Sequence, residues 1–267
     1  MVRKTIVTVL LFVFAIPALV SAHAGKADLV DVRIISDGGS ECPRYRTYPH
    51  PRQEGSYFYL EAVKGARYSI QVTNRSGGRI GIVIAVDGRN IISGQKSDLK
   101  RNEQMYIVGP YESNTFEGWR TGMDRTNRFY FTNASDSYAE RVFADASAMG
   151  TIALAVFREK LPQPFSKMQE GRAGGTAPHA SAESQSADRA ERKTSEQAGT
   201  GFGETTYSPA RRVHFEPEPA HAEKFVLKYE WRSELCRKGI IHCGPKNRNR
   251  FWPEEIEFAP VPKDFRG

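Results

Sequence analysis

One stretch of this chain limits its fold more than any other, the β-rich run RIGIVIAVDGRNIIS at residues 79–93. Asp87 and Gly88 stand between two apolar flanks, and Asp-Gly in that setting is a strong signal for a tight two-residue hairpin turn. With these residues as the turn, Ile84 lies opposite Ile91, and both faces of the ribbon carry apolar cross-strand pairs. A ribbon that is apolar on both faces predicts a strand buried inside a sandwich.

The segments around the hairpin predict further short strands at the spacing of an all-β domain. Alternation in 67–73 places Tyr68, Ile70 and Val72 on one face. A short helix fits 135–148, and the other predicted strands fall at 29–35, 57–63, 104–108, 114–119, 127–132 and 150–157. Roughly eight or nine short strands indicate an all-β fold, a Greek-key-type β-sandwich over residues 25–161.

Five short motifs in this region occur in the order seen in a family of uncharacterised exported bacterial proteins. They are DGRNIISG at 87–94, GWR at 118–120, FYFT at 129–132, DSYA at 136–139 and AVFRE at 155–159. The chain resembles that family over about residues 57–160 and more weakly over 207–215. The resemblance implies a bacterial origin and one compact domain, and it implies no activity, cofactor or catalytic residue.

The N-terminal residues predict export. Two basic residues precede an apolar run at 6–20, and an A-x-A cleavage site follows at 22–24. This arrangement is typical of a secretory signal peptide, here residues 1–24. A membrane anchor is the alternative, but about sixteen helical residues are too short for a bilayer core of roughly 30 Å, and Pro17 interrupts the run. No later segment is long and apolar enough to span a membrane, so we expect a protein of the periplasm, the cell surface or the extracellular space.

The composition changes after the predicted sandwich. Residues 162–204 consist mostly of small and polar residues, which bury too little apolar surface to order themselves, so we expect a disordered linker. The run GTGFG at 199–203 resembles a glycine-rich phosphate loop. Neither a strand before it nor a helix after it supports that interpretation.

Residues 205–267 regain β character, with predicted strands near 211–215 and at 224–231. In the second of these, apolar residues alternate and share one face, which needs an apolar partner. Because so few strands make a poor independent core, we expect this C-terminal β segment to pack back on the sandwich. A small separate module is the alternative.

The three cysteines predict one disulfide. Cys236 and Cys243 enclose only six residues, and two cysteines this close usually join in an oxidising compartment. A metal site that adds His242 and Cys42 is the alternative, but the spacing matches no zinc pattern. Cys42 then remains a thiol or pairs with another molecule.

A basic and aromatic surface is predicted from two parts of the chain. The segment 237–250 contains no acidic residue, and its candidates, with the aromatic residue that follows, are Arg237, Lys238, Lys246, Arg248, Arg250 and Trp252. Tyr45 and Tyr48, in an irregular Pro-rich segment at 42–54, are further candidates as a sugar or peptide platform. The alternatives are a solvated basic surface and tyrosines that pin a loop onto the sandwich.

The charge indicates the kind of partner. The sequence carries 38 basic and 31 acidic side chains, a net charge of +7, and cleavage of the signal removes Arg3 and Lys4 to leave +5. A basic exported protein meets mostly anionic surfaces, such as lipopolysaccharide, extracellular DNA, an acidic glycan or an acidic protein. Basic groups beside aromatics also suit single-stranded nucleic acid, but the predicted export argues against a specific nucleic-acid partner.

The sequence shows no catalytic motif. It contains no nucleophile elbow and no metalloprotease helix, and the acids at 254, 255 and 257 share one loop rather than flank a cleft. We expect no cofactor and no metal. The hypothesis is therefore an exported, non-enzymatic β-sandwich protein of the bacterial envelope that binds or assembles with an envelope protein, an anionic polymer or a glycan. The alternative is a carbohydrate-acting enzyme or lectin-like glycan-binding module around Tyr45, Tyr48 and Trp119.

Overall fold

Two seven-stranded sheets make up the computed structural model, which describes residues 28–47, 55–160 and 197–243. The strands in chain order are β1 (Val30–Ser36), β2 (Arg44–Thr47), β3 (Ser56–Ala62), β4 (Arg67–Asn74), β5 (Ile80–Val86), β6 (Arg89–Asn90), β7 (Tyr106–Val108), β8 (Ser113–Phe116), β9 (Gly118–Arg120), β10 (Arg125–Asn133), β11 (Thr151–Arg158), β12 (Ala198–Thr200), β13 (Thr205–Tyr207) and β14 (Glu223–Trp231). The α-helices are α1 (Tyr138–Phe143) and α2 (Arg232–Arg237), and neither is long and apolar enough to cross a bilayer.

The two sheets face each other across one hydrophobic core. The first sheet has the order β1-β4-β10-β12, with β8 beside β4 and with β9 and β13 beside β10. The second has the order β2-β3-β14-β11-β5-β6, with β7 beside β5. Ile70 and Phe129 from the first sheet share a buried cluster with Ile82, Leu154 and Leu227 from the second. Consecutive strands β3, β4 and β5 alternate between the sheets, and the predicted all-β fold of two packed sheets is confirmed.

The hairpin at the Asp-Gly turn forms as predicted. Both turn residues have left-handed backbone angles, with φ of 48° at Asp87 and 76° at Gly88, as a tight hairpin turn requires. The N–H of Ile91 donates to the carbonyl of Ile84 at 3.0 Å, so these residues lie opposite each other. All seven residues of β5 are buried, because β11 pairs with its whole length and β7 flanks its other edge. β6 spans two residues, since the side-chain oxygen of Asn90 accepts the next backbone N–H groups and turns the chain away.

The C-terminal segment packs on the sandwich, as predicted, and supplies one of its central strands. β14 lies between β11, to which it is antiparallel, and β3, to which it is parallel. Its residues Phe225, Leu227 and Tyr229 are buried in the shared core. The alternative of a separate C-terminal module is therefore wrong for the described part of the segment, because among the described strands β14 joins β3 to β11.

The predicted boundary of the linker is also wrong. Ala198, Gly199 and Thr200 form β12, which pairs with β10 and is fully buried. The sequence does not predict this strand because residues 198–200 include no large apolar side chain. They are buried because the backbone of β12 pairs with β10 inside the sandwich. Residues 162–196 of the predicted linker, the predicted signal peptide and residues 244–267 lie outside the described residues.

Two other segments differ from the predictions. The Pro-rich segment at 42–54 begins with the edge strand β2, which pairs with β3. The predicted strand near 211–215 is wrong, because these residues form no ladder. Phe215 instead lies on the outer face of β5, where a Cβ added to Gly81 would stand 2.7 Å from its ring. The apolar residue that suggested a strand covers that face of the second sheet.

Candidate functional site

The fold brings together two of the predicted binding residues from opposite ends of the chain. Tyr45 on β2 lies directly opposite Tyr59 on β3, so their side chains share one face of the second sheet. The ammonium nitrogen of Lys238, just after α2, lies 5.5 Å from the centre of the Tyr59 ring. Tyr45, Tyr59 and Lys238 form what we call the tyrosine surface. Sequence reasoning missed Tyr59 because nothing local marks it as the neighbour of Lys238.

The two basic residues of this region are paired with acids. Arg237 forms an ion pair with Glu234 at 2.6 Å, and Lys238 forms one with Glu230. The segment 237–250 contains no acidic residue in sequence, but the preceding helix and strand bring acids beside its first two cations. Arg237 and Lys238 stay candidates for the predicted binding surface, and the structure adds that each is paired with an acid. The other predicted residues, Tyr48, Lys246, Arg248, Arg250 and Trp252, lie outside the described residues.

A disulfide joins Cys236 to Cys243, as predicted, with 5.5 Å between the Cα atoms. It ties the chain beyond α2 to a helix that packs on β14 and β3, next to the tyrosine surface. Because both sulfurs are in the disulfide, they are not thiolate ligands, and the alternative of a metal site with His242 is wrong. Cys42 is a free, half-buried thiol, whose pKa is raised by burial and by the neighbouring Glu41. No group of three metal-binding side chains occurs within 28–47, 55–160 and 197–243.

The largest feature that sequence reasoning missed is a buried carboxylate at the hairpin turn. Asp87 is fully buried, and its carboxylate accepts hydrogen bonds from Gly150 N at 2.8 Å, from Thr200 N at 2.7 Å and from the hydroxyl of Tyr229. These donors come from the start of β11, from β12 and from β14. The turn residue therefore connects three segments that are far apart in the sequence.

The hydrogen bonds continue from Asp87 through Tyr229 and Thr200 to Tyr68. Thr200 Oγ1 lies 2.8 Å from the hydroxyl oxygen of Tyr229 and 2.8 Å from that of Tyr68. Within the described chain the hydroxyl of Tyr68 has no other partner, and a buried O–H group needs an acceptor. Tyr68 therefore donates to Thr200, Thr200 donates to Tyr229, and Tyr229 donates to Asp87. We call these four residues the Asp87 network.

Burial sets the protonation of this network. Desolvation raises the pKa of Asp87 to about 6, although the hydrogen bonds from Tyr229, Thr200 and Gly150 oppose the rise. Burial also raises the pKa values of Tyr229 and Tyr68, and the charge of Asp87 acts in the same direction on both. Among the described residues, no cation is a cause of the raised pKa of Asp87. The carboxylate is therefore stabilised by hydrogen bonds rather than by an ion pair.

We expect the stability of the protein to decrease as pH rises, in a pH range set by the two pKa values of Asp87. The folded pKa is about 6 and the ordinary value is 3.8, so the folded state binds this proton more tightly. Tighter proton binding by Asp87 in the folded state adds about 3 kcal/mol to the free energy of unfolding. This contribution is fully present below pH ~4 and is lost as pH rises through about 6. Urea unfolding between pH 4 and 7.5 measures it as the difference between wild type and Asp87→Asn. Parallel profiles for the two proteins would contradict it.

The glycine-rich run at 199–203, inside the predicted linker, is a close-packing segment. A Cβ on Gly199 would lie 2.7 Å from the Cβ of Ser137, and one on Gly201 would lie 2.2 Å from the ring of Tyr130. A Cβ on Gly203 would lie 2.8 Å from the carbonyl oxygen of Arg128. Each glycine is needed where the backbone approaches a neighbour closely. This packing explains the glycines without a phosphate ligand.

The same segment completes a stack of aromatic rings at one edge of the sandwich. The ring of Phe202 stacks on Tyr138 of α1 with 5.2 Å between centroids, and Tyr138 in turn lies 4.6 Å from the ring of Trp119. We call these three residues the aromatic stack. Trp119 is 2% exposed, and its ring also packs on Phe129. Trp119, which the alternative glycan-binding hypothesis placed with Tyr45 and Tyr48, is therefore the buried end of the stack and not part of an exposed surface.

Comparison with known proteins adds no neighbour to this geometry. No protein-family model, curated protein or solved structure matches the chain. The resemblance to exported bacterial proteins therefore stays a prediction.

Proposed function

We propose that this chain is an exported, non-enzymatic β-sandwich protein of the bacterial envelope that binds or assembles with another macromolecule. The observation that carries the proposal is the tyrosine surface, where Tyr45, Tyr59 and Lys238 meet on the outer side of the second sheet. Both tyrosines are half-buried. Tyrosine is enriched at protein interfaces because it presents a rigid ring and a hydroxyl at little entropic cost.

Export is supported by the N-terminal sequence and by the cysteines. Residues 1–24 have the pattern of a signal peptide, and the Cys236–Cys243 disulfide is compatible with an oxidising compartment. The proposed location is the periplasm, the cell surface or the extracellular space. The disulfide also joins Cys243 to α2, the helix that ends just before Lys238 of the tyrosine surface.

The charge favours an anionic partner. The positive charges of Arg237 and Lys238 are offset by Glu234 and Glu230. These four residues beside the tyrosine surface therefore carry no net charge. The excess positive charge of the sequence, +7 in total, includes the basic residues that follow Cys243. An acidic envelope protein or an anionic polymer fits a surface on which tyrosines supply contact area and the adjoining segment supplies charge.

A glycan-binding module or a carbohydrate-acting enzyme is the second candidate function. Of the residues Tyr45, Tyr48 and Trp119 that suggest this function, Trp119 is buried and cannot form part of an exposed site. Tyr45 lies on the tyrosine surface and could contact a glycan there.

We expect Tyr59→Ala to reduce capture of a specific envelope partner at least ~10-fold, because the central ring of the surface is lost. The purified protein is incubated with an envelope extract, and the captured component is quantified over a salt series and beside a glycan array. Tyr111→Ala is the matched control, since Tyr111 is 73% exposed and lies on the loop between β7 and β8. Equal capture by Tyr59→Ala and wild type, at equal melting temperatures, would refute the proposed surface. Specific glycan binding without a protein or anionic partner would favour the second candidate.

A further inference from the structure

Three exposed apolar side chains lie together at one end of the first sheet. Met123 lies at the tip of the β9–β10 hairpin and is 48% exposed, and Tyr207 at the end of β13 is 78% exposed. Val213 is 43% exposed and follows shortly after Ala210, whose N–H donates to the carbonyl of Met123 at 2.7 Å. Large apolar side chains that cluster on a surface, rather than scatter singly, indicate an interaction site.

Hydrogen bonds hold the hairpin tip beside the end of β13. Ser208 N donates to the carbonyl of Asp124 at 2.7 Å. The guanidinium of Arg120 donates to the carbonyl of Gly122 at 3.0 Å and to the carbonyl of Ser208 at 2.9 Å. The tip and the end of β13 therefore form one unit, in which the positions of their side chains are set before any partner arrives. Such preorganisation lowers the entropic cost of binding.

Positive charge lies beside these apolar side chains. Arg211 and Arg212, which directly precede Val213, are exposed and form no ion pair within the described chain. Arg125 is also exposed, and its pair with Asp124 at 3.2 Å is a surface pair of little net strength. Three cations therefore stand against one acid among these residues. This imbalance favours an anionic partner.

The size and chemistry of this surface favour a lipid bilayer over a folded protein. Its three apolar side chains expose on the order of 300 Å², below the ~800 Å² that each partner of a standard protein interface buries. Apolar side chains beside arginines are typical of proteins that rest on a bilayer, because the apolar atoms enter the headgroup boundary while the guanidinium groups stay near the phosphates. Tyrosine is enriched at that boundary, since its ring is apolar and its hydroxyl is polar.

We propose that this end of the sandwich docks on an anionic phospholipid bilayer. We call its five residues the lipid-facing tip, which consists of Met123, Tyr207, Arg211, Arg212 and Val213. The apolar side chains enter the bilayer surface, and the two arginines bind the phosphates of anionic headgroups. The tip lies at the end of the first sheet and the tyrosine surface lies on the second, so neither proposal depends on the other.

The test is co-sedimentation with vesicles of equal parts phosphatidylglycerol and phosphatidylcholine, beside vesicles of phosphatidylcholine alone. The chain used begins at Gly25, so that the apolar run at 6–20 cannot itself insert into the bilayer. We expect binding to the anionic vesicles that weakens as salt is added, because salt screens the attraction of the arginines to the headgroups. The neutral vesicles should bind at least ~10-fold less protein.

Two double variants separate the charged and apolar parts of the tip. Arg211→Gln with Arg212→Gln should lower the partition coefficient for anionic vesicles roughly 30-fold. Met123→Ser with Tyr207→Ser should lower it at least ~10-fold, because less apolar surface enters the bilayer. In a separate variant, Tyr207→Trp, the indole emission should shift to shorter wavelength when anionic vesicles are added, relative to the same titration of wild type.

The matched control is Lys64→Gln with Arg141→Gln, which removes the same charge from two other exposed positions. Both lie toward the opposite end of β10, since Gly65 N donates to the carbonyl of Phe131 and α1 follows the last residue of that strand. This variant should change the partition coefficient less than ~3-fold, because the removed charges lie far from the docked surface.

The proposal is supported if both tip variants lose binding at unchanged melting temperatures while the control keeps it. Absence of binding to anionic vesicles at low salt overturns it and leaves the tip to a protein partner. Equal binding to neutral vesicles overturns it too, since the arginines then have no part. Binding that both tip variants retain places the membrane contact elsewhere and also overturns it. Capture of a partner by the tyrosine surface is measured separately, through Tyr59→Ala.

Discussion

Replacing Asp87 with alanine is expected to lower the free energy of unfolding by about 3 kcal/mol at neutral pH. The substitution leaves three buried donors without an acceptor, those of Gly150, Thr200 and Tyr229. An unpaired buried donor costs ~1–3 kcal/mol, and removing the buried charge returns about 3 kcal/mol of the sum. Because a domain of this kind is stable by ~5–15 kcal/mol, the loss takes a large part of the margin.

The comparison with Asp87→Gly separates the carboxylate from the backbone. Asp87 has a φ of 48°, a left-handed angle that costs alanine roughly 1 kcal/mol and costs glycine almost nothing. The glycine variant should therefore be as destabilised as the alanine variant to within about 1 kcal/mol. Asp124→Ala is the control at an exposed turn, where the side chain is 58% accessible, and it should change stability by less than ~0.5 kcal/mol.

Urea unfolding measures the global effect, and hydrogen exchange shows where it acts. The amides of β12 should lose protection first, because Thr200 is held by Asp87 on one side and by β10 on the other. An Asp87→Gly protein as stable as wild type would show that the buried carboxylate is dispensable. The network would then be a consequence of the fold rather than one of its supports.

The hairpin was predictable from sequence because its signals are local. Asp-Gly between alternating apolar residues specifies a two-residue turn, and the register of Ile84 opposite Ile91 follows from the turn. The second role of Asp87 was not predictable in that way. Its partners come from residues 150, 200 and 229, and no local pattern states which distant N–H groups a turn carboxylate will meet.

For β14, too, the local feature could be predicted from sequence and the long-range pairing could not. Alternation predicted a strand at 224–231, and the shortage of apolar residues around it predicted that the strand needs the first domain. The position between β3 and β11 could not be predicted, because pairing across so many residues is decided by the whole core. The parallel pairing with β3 is especially nonlocal.

The candidate sites were predictable only in part, for a related reason. Tyr45 and Lys238 were chosen by residue type, and the fold places them on one surface. Trp119 was also chosen by type, but burial removes it from any surface. Phe202 was hidden inside a run read as linker, where its flanking glycines suggested flexibility. The two flanking glycines instead allow the backbone to pack closely against its neighbours, and this packing holds the ring of Phe202 in place.

A chain that ends at Lys160 is expected not to fold. It lacks β12, β13 and β14, and with β14 it loses the strand that joins β3 to β11 in the second sheet. Burial of Phe225, Leu227 and Tyr229 contributes roughly 1.5–3 kcal/mol for each side chain, a sum comparable with the stability of the whole domain. The exposed edges of β3 and β11 should also make the truncated chain aggregate.

Co-expression distinguishes a missing strand from a damaged chain. Residues 197–267, supplied as a second polypeptide, should restore a soluble complex with residues 1–160, since β12 and β14 are held by pairing and packing rather than by their covalent connection. A chain that ends at Cys243 is the matched control, because it keeps every described strand and the disulfide, and it should unfold cooperatively. Size-exclusion chromatography and thermal unfolding report the results. A soluble 1–160 fragment with a cooperative transition would show that the sandwich closes without β14, against the order of its second sheet.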